Sequence, residues 1–220
     1  MYNVYTVKFY GKERGVASAE RREREKANLR RAILDAAREL FVTEDFHAVS
    51  MRRIAEKIEY SPTAIYLYFK DKEEILAHLA SEGFTLLAER CEAVHNPDPL
   101  ERLREGARIY IDFARTQTQY FQIMFQIGPQ VMPDGSQACM DKANLGMRAF
   151  GFIVSSVQEA NAKGLLRPFA SENVAAHVLW AQIHGAAALM LSGRLGKLTP
   201  EEYDTFTEEL IENTLRGMRA

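Results

Sequence analysis

The sequence predicts an all-α fold in two parts, a three-helix N-terminal unit and a larger helical C-terminal domain. Apolar residues of the 220-residue chain recur at helical spacing, and no convincing run alternates at the period of a strand. Pro, Gly and Asn separate the periodic segments into distinct helices. We expect a tail or arm over 1–27, the three-helix domain over 28–87 and the C-terminal domain over 88–220.

The composition is that of an ordinary folded protein, but its charge is unevenly spread. Hydrophobic residues make up 47% and charged residues 26% of the chain. Lys and Arg outnumber Asp and Glu by three to two over 1–20 and by twelve to nine over 21–72. Over 73–220 the chain has thirteen Lys and Arg and nineteen Asp and Glu. A basic N-terminal part on an acidic remainder is typical of a nucleic-acid contact confined to one end.

The two cysteines, Cys91 and Cys139, are far apart and fall in segments that predict helices. They provide neither metal-ligand spacing nor a disulfide framework, and a reducing cytoplasm fits them best. His177 and His184 have no third ligand nearby in the sequence, so we expect no metal and no cofactor. Because polar residues interrupt the apolar stretch 174–191, it predicts a buried helix and not a membrane span.

The segment 20–31 is dense in charge and permits two interpretations. It is either an arm in which Arg21, Arg22 and Arg24 reach a minor groove, or the solvated, frayed start of the first helix. The sequence leaves both open.

Three short helices follow, each with its apolar residues on one side. The first is expected over 28–42, with Ile33, Ala37, Leu40 and Phe41 on its buried side. The second starts after Ser50, a good N-cap, and the third opens with Ser61 as N-cap and Pro62 at the first helical position. Only Glu59 and Tyr60 separate these two helices. They must therefore cross steeply while packing on the first, as in a helix-turn-helix domain.

The remaining periodic segments predict six more helices. Asp71 and Glu74 form a capping-box-like start for the fourth, which is expected to end near residue 95. The others are expected over 98–116, 119–127, 135–163, 171–192 and 200–218. Thr199 and Glu202 supply a full capping box for the last of them.

The third helix has an outward face that is unusual for a helix that only meets water. At about 100° per residue, Ile65 and Phe69 fall on the core side, and the other side carries Thr63, Tyr66, Leu67 and Lys70. Methyl groups and hydroxyls of this kind suit a major groove, where they meet thymine methyls, base edges and phosphates. Packing or solvation explains each residue taken alone, but their joint occurrence favours DNA.

The stretch 33–76 resembles the DNA-binding domain of tetracycline-repressor-like (TetR) regulators. The resemblance lies in ILDAARELF, SMRRIAEKI and SPTAIYLYFKDKEEIL, which include a Y-x-Y-F and a K-E segment. It implies that Ser50, Tyr66, Tyr68 and Lys72 hold phosphates, and that Pro62, Thr63 and Leu67 lie where the family reads bases. The full expected DNA-binding set is Ser50, Arg52, Arg53, Ser61, Pro62, Thr63, Tyr66, Leu67, Tyr68 and Lys72.

Two departures from the family pattern have consequences. Glu59 stands where the family usually has glycine in the turn, and a non-glycine residue there is strained if its φ is positive. Leu67 stands where a histidine is common, so we expect an operator different from the commonest one.

Family members carry a helical C-terminal domain that dimerises and often holds an inducer pocket, which the resemblance implies for 88–220. The last two helices are rich in small and apolar side chains, so they either form a homodimer interface or only complete the monomer core. Trp180, His184 and Gly185 form a W-x-x-x-H-G pattern similar to that of one branch of the family. The expected ligand-binding residues are Phe113, Tyr120, Phe121, Met124, Phe125, Phe150, Trp180 and His184.

These expectations describe a cytoplasmic transcriptional regulator that binds a double-stranded DNA operator and is a repressor released by a small apolar or aromatic ligand. Two alternatives stay open. One is a helical ligand-binding or adaptor protein without DNA binding, to which Glu59 points. The other is a helical enzyme, although we find no nucleophile elbow, phosphate-binding glycine loop or paired metal motif, and we expect no enzymatic activity.

Overall fold

The computed structural model describes the backbone over 5–127 and 137–220, and the side chains over 19–127 and 146–220. Within these ranges the helices are α1 (Tyr5–Thr43), α2 (Met51–Lys57), α3 (Pro62–Tyr66), α4 (Lys72–Glu92), α5 (Pro99–Thr116), α6 (Thr118–Gln122), α7 (Gln137–Ala162), α8 (Glu172–Leu191) and α9 (Pro200–Met218). A π-helical turn, Ile123–Ile127, continues α6. The described backbone contains no strand beyond a single antiparallel bridge between Leu166 and Arg219, so the all-α prediction is confirmed.

Helix α1 differs most from the expectation. It begins at Tyr5 instead of near residue 28, and it runs without a break to Thr43. No proline interrupts this part of the sequence, and a 3.0 Å ion pair joins Arg21 to Glu25 one turn later. The charge-dense segment is therefore a continuous part of the first helix.

The chain divides into two compact units, 1–75 and 76–220, and the division falls inside α4. The sequence predicts the boundary after residue 87, which lies in the same helix. In the first unit, the three helices α1, α2 and α3 share a core of almost fully buried side chains, which are Ile33, Leu34, Ala37, Leu40, Phe41, Ile54, Ile65 and Phe69. The apolar residues whose spacing predicts each helix thus also form the core.

In the second unit, α5 lies against α7, α8 and α9. Its arginines meet acidic residues of α9 in antiparallel order, in the pairs Arg104–Glu212, Arg108–Glu208 and Arg115–Asp204. Arg104 is buried, and it also pairs with Glu101. Two carboxylates therefore compensate a charge that would be costly to bury alone.

Helices α8 and α9 complete the second unit. The predicted capping box of α9 is confirmed, with Thr199 Oγ1 accepting from the Glu202 amide at 3.2 Å and the Glu202 carboxylate accepting from the Thr199 amide at 2.7 Å. By length and composition alone, helix α8 is apolar enough to cross a membrane. Of the 18-residue window that meets this test, 39% is buried inside the protein. The prediction of a buried helix holds for one side of α8 only, because Val174, Val178 and Leu189 lie together on the opposite side and are exposed.

Candidate nucleic-acid interface and aromatic cluster

Serine N-caps start both helices of the helix-turn-helix, as the sequence predicts. Ser50 Oγ accepts a hydrogen bond from the amide of Arg53 at 3.1 Å, and Ser61 Oγ accepts one from the amide of Ala64 at 3.3 Å. Pro62 takes the first position of α3, where its missing N–H leaves no unpaired donor. These caps hold two exposed serine side chains at the starts of neighbouring helices.

The turn between α2 and α3 closes with a Schellman motif. The amide of Tyr60 donates to the carbonyl of Ala55 at 3.0 Å, and the amide of Glu59 donates to that of Glu56 at 3.2 Å. This motif requires a left-handed residue, and Glu59 adopts it with a φ of 60°. A residue with a Cβ pays about 1–2 kcal/mol for that conformation. The positive φ on which the predicted strain at Glu59 depends is therefore present.

The outward side of α3 and its C-cap is exposed, while its inward side is buried. Leu67 is 79% and Tyr66 56% exposed, and Pro62 and Thr63 are exposed as well. Ile65 and Phe69 are 0% and 1% exposed. The predicted division between core residues and outward residues is confirmed, with Tyr68 half-buried between the two sets.

The two arginines of α2 are exposed and each pairs with a carboxylate. Arg52 lies 3.0 Å from Glu56 on the same helix, and Arg53 lies 2.9 Å from Glu44 at the end of α1. Pairs of this kind at a surface contribute little to stability, so a phosphate can compete for either guanidinium.

Lys72 has contacts that the sequence did not predict. Its ammonium donates to the carbonyls of Phe46 and Val49 at 2.7 and 2.8 Å, and it lies 4.4 Å from the Phe46 ring centroid. The lysine thereby ties the start of α4 to the loop that leads into Ser50. Its donors are directed at protein carbonyls and not outward, where the expected phosphate contact would require them.

Within the second unit, eight rings from six elements form one connected group, which we call the aromatic cluster. Its members are Phe84, Tyr110, Phe121, Phe125, Phe150, His177, Trp180 and His184. His184 lies at its centre, stacked on Phe121 at 5.4 Å and at 5.0 and 5.4 Å from the rings of Phe125 and Trp180. The π-helical turn supplies Phe125, which contacts rings of α4, α5 and α8. Single π-helical turns are frequent at functional sites.

The aromatic cluster contains one polar pair. The Tyr110 hydroxyl lies 2.7 Å from His184 Nδ1. Burial lowers the pKa of the His184 imidazole, and burial strongly raises the pKa of the Tyr110 hydroxyl. Both side chains are therefore neutral near pH 7, and their hydrogen bond is one between uncharged groups.

Five of the eight predicted ligand-binding residues belong to the aromatic cluster, namely Phe121, Phe125, Phe150, Trp180 and His184. The other three have different surroundings. Phe113 is fully buried beneath the Arg90 guanidinium, the Tyr120 hydroxyl donates to Glu82 at 2.7 Å, and Met124 is buried beside Gly83. Phe84, Tyr110 and His177 are members of the aromatic cluster that the sequence did not predict. Tyr110 could have been found, because it belongs to the apolar stripe of α5 that also carries Leu103 and Ala107.

A buried acceptor lies at the junction of α6 and the π-helical turn. Gln122 Oε1 is buried without a hydrogen-bond partner among the described residues. Such atoms are rare in folded proteins, because an unpaired buried acceptor costs about 1–3 kcal/mol.

Two family models match the chain, one in each unit. The model described as "Bacterial regulatory proteins, tetR family" matches residues 33–79, and the model described as "Tetracyclin repressor-like, C-terminal domain" matches residues 103–214. The first match contains the serine caps, the strained turn and the outward face of α3. The second covers half of the chain and contains most of the aromatic cluster.

The chain is similar to known regulators. It is 30% identical over 118 residues to the HTH-type transcriptional activator FasR of Mycolicibacterium smegmatis, covering 50% of this chain and 54% of that one. It is 28% identical over 116 residues to the fatty acid metabolism regulator protein of Bacillus subtilis, covering 53% and 55%. The chain thus spans about half the length of the curated relatives it matches.

Its fold also resembles that of solved structures. A bacterial regulatory protein in the tetR family from Rhodococcus RHA1 superposes with a TM-score of 0.71 over 87% of this chain and 97% of that one, at 19% identity. With the helix-turn-helix, the helical second unit and both family models in agreement, the chain belongs to the TetR family of bacterial regulatory proteins.

Proposed function

We propose that this protein is a transcriptional regulator that binds a palindromic DNA operator as a homodimer and leaves it when a small apolar ligand binds. The outward side of α3 carries this proposal. It exposes Tyr66 and Leu67 on a segment whose other side is fully buried, and its helix begins at the exposed Ser61 cap. Exposed apolar and hydroxyl groups in that position suit the major groove.

The predicted DNA contacts divide into base contacts, phosphate contacts and one residue that acts indirectly. Pro62, Thr63 and Leu67 read bases, whereas Ser50, Ser61, Tyr66 and Tyr68 hold phosphates together with Arg52 and Arg53. Lys72 contributes indirectly, because its ammonium fixes the carbonyls of the loop before Ser50.

Selection of bound genomic fragments at low salt tests DNA binding. We expect a palindrome to be enriched, and we expect Leu67→Ala to weaken binding about tenfold and to change the preference at one base position, as losing a single base contact does. Leu67 is 79% exposed, so its truncation costs no core packing. The matched control is Leu86→Ala, which truncates an exposed leucine of α4. If purified protein enriches no sequence, an adaptor or ligand-binding protein without DNA binding replaces this proposal.

The exposed apolar side of α8 supports a homodimer through the last two helices. Val174, Val178 and Leu189 are 44%, 37% and 42% exposed, and a second copy would cover them. We expect Val178→Asp with Leu189→Asp to give monomers in analytical ultracentrifugation and to abolish operator binding. The control is Met147→Asp on α7, where the side chain is 69% exposed. A dimer that survives the double substitution would place the interface elsewhere.

The aromatic cluster supports an apolar ligand, and the printed name of one relative concerns fatty acid metabolism. We therefore propose a fatty acyl compound, bound beside Trp180 and oriented by the Tyr110–His184 pair. The W-x-x-x-H-G residues would mark the branch of the family with this site. The proposal also places the protein in the cytoplasm and gives it no catalytic role.

Ligand binding is tested with palmitate, palmitoyl coenzyme A and a naphthalene carboxylate. An acyl probe at 100 times its Kd should stabilise the protein by about 2.7 kcal/mol, raise its Tm and release DNA. Phe150→Ala should reduce this response. Phe152→Ala is the control, because Phe152 lies on the same helix but packs on Gly106. If the naphthalene carboxylate alone raises the Tm, the ligand is aromatic, and if none of the three does, the acyl proposal is wrong.

A further inference from the structure

The N-terminal part of α1 projects beyond the core of the first unit. The buried side chains of α1 start at Ile33, whereas every described residue from 19 to 28 is exposed. This segment, AERREREKAN, has no large apolar side chain. It therefore offers no apolar face to a membrane or to a partner helix.

The cations of this segment fall on two different sides of the helix. At about 100° per residue, Arg22 and Lys26 lie on the side that carries Ile33 and Ala37 further along, and Arg21 and Arg24 lie on the opposite side. Arg22, Lys26 and Arg30 follow each other at intervals of four residues and form one row. The core-facing side of α1 thus continues past the core as a row of positive charge.

Arg30, the C-terminal member of the row, shows which part of the first unit the row faces. The Arg30 guanidinium lies 5.1 Å from the ring centroid of Phe69, just beyond the end of α3. At a rise of about 1.5 Å per residue, Arg22 lies about 12 Å further along the helix axis. That length corresponds to three or four nucleotides of a DNA strand at about 3.4 Å each.

We propose that Arg22 and Lys26 bind the phosphate backbone of duplex DNA that flanks the operator. The inference rests on the proposed function, because it extends the DNA contact of α3 along the same molecule. Charge complementarity and continuity with the helix-turn-helix identify the occupant as DNA. Glu20 lies away from the row, whereas Glu23 lies at its edge, about 60° around the helix from Lys26, and does not interrupt the four-residue spacing of the cations.

The test compares two double variants with the same change in charge. Arg22→Gln with Lys26→Gln removes the row, and Arg21→Gln with Arg24→Gln removes two cations from the other side of the same helical segment. Binding to the selected operator is measured by filter binding between 50 and 200 mM salt, once with long flanks and once with flanks trimmed to the palindrome. Circular dichroism verifies that both variants keep their helix content.

With long flanks, we expect the row variant to reduce the slope of log affinity against log salt by about two per subunit, and each single substitution to reduce it by about one. The opposite-side variant should change the slope by less than half as much. With trimmed flanks, the row variant should match the wild-type slope. Equal effects of both variants, no effect of either, or an undiminished effect on trimmed DNA would overturn the inference while the operator contact of α3 stands. Absence of wild-type binding would instead refute the proposed function.

Discussion

The Tyr110 hydroxyl lies 2.7 Å from His184 Nδ1, and this hydrogen bond joins α5 to α8 inside a group of aromatic rings. His184 is held neutral there because burial lowers its pKa. A neutral imidazole whose Nδ1 accepts from the hydroxyl carries its proton on Nε2, which leaves one donor for a ligand.

The lowered pKa of His184 predicts a pH dependence of stability. The unfolded chain has an ordinary histidine pKa of 6.5, so it binds the proton at higher pH than the folded protein does. The stability from the neutral pair is therefore complete above about pH 6.5 and decreases as the pH falls below it. We expect the Tm difference between wild type and His184→Gln to shrink from pH 8 to pH 5. The control is His177→Gln on the exposed side of α8, and a Tm difference for His184→Gln that does not vary with pH would contradict the prediction.

The contacts of Lys72 predict a loss of stability without a loss of phosphate contacts. Lys72→Met should lower the free energy of unfolding by about 2 kcal/mol, because charged hydrogen bonds to the Phe46 and Val49 carbonyls disappear. DNA affinity should fall, yet the salt dependence of binding should keep its slope. Lys70→Met is the control for the stability measurement alone, since Lys70 is exposed. A slope reduced by about 0.9 per subunit would instead make Lys72 a phosphate contact.

The left-handed conformation of Glu59 predicts that glycine improves the turn. Glu59→Gly should raise the free energy of unfolding by about 1 kcal/mol, because glycine adopts a φ of 60° without a Cβ clash. The same substitution at Glu56, inside α2, should lower it by about 1 kcal/mol. Urea denaturation followed by circular dichroism compares the two. Destabilisation by Glu59→Gly would show that the glutamate side chain contributes more than its backbone costs.

Gly83 and Gly151 both lie in helices but differ in the space around them, so alanine should have opposite effects on stability at the two positions. A Cβ at Gly83 of α4 would lie 2.5 Å from Met124 Sδ, so Gly83→Ala should destabilise the second unit by about 1–3 kcal/mol. Nothing lies within 4 Å of a Cβ at Gly151 of α7, so Gly151→Ala should stabilise it by about 1 kcal/mol. Thermal denaturation of both variants decides the matter. Equal Tm shifts would mean that Met124 moves aside freely.

The sequence predicted α2 and α3 well because local signals determine them. Ser50, Ser61 and Pro62 are recognisable in the chain and occupy the expected cap positions. The buried and outward sides of α3 followed from periodicity alone. Glu59 stands where the family usually has glycine, so the resemblance predicts strain there if φ is positive, and its φ is 60°.

The sequence was less informative where distant residues meet. The sequence predicts Lys72 as a phosphate ligand, and nothing local in it shows that the Phe46 and Val49 carbonyls converge on the ammonium. The apolar stripe of α5 places Tyr110 in the core, but nothing local shows its partner His184, which is 74 residues away. The length of α1 was underestimated for a different reason. Residues 19–28 are exposed on every side, and such a segment lacks the apolar period from which helices are predicted.

Trp180 is the single tryptophan of the chain, and it lies within the aromatic cluster. Its intrinsic fluorescence therefore reports on one place only, the surroundings of His184 and Phe125. Fluorescence excited selectively at the indole would report ligand binding without an added label. It would also separate the unfolding of the second unit from that of the helix-turn-helix, which contributes no indole signal. The chain thus carries its own optical probe at the position where the proposed ligand would bind.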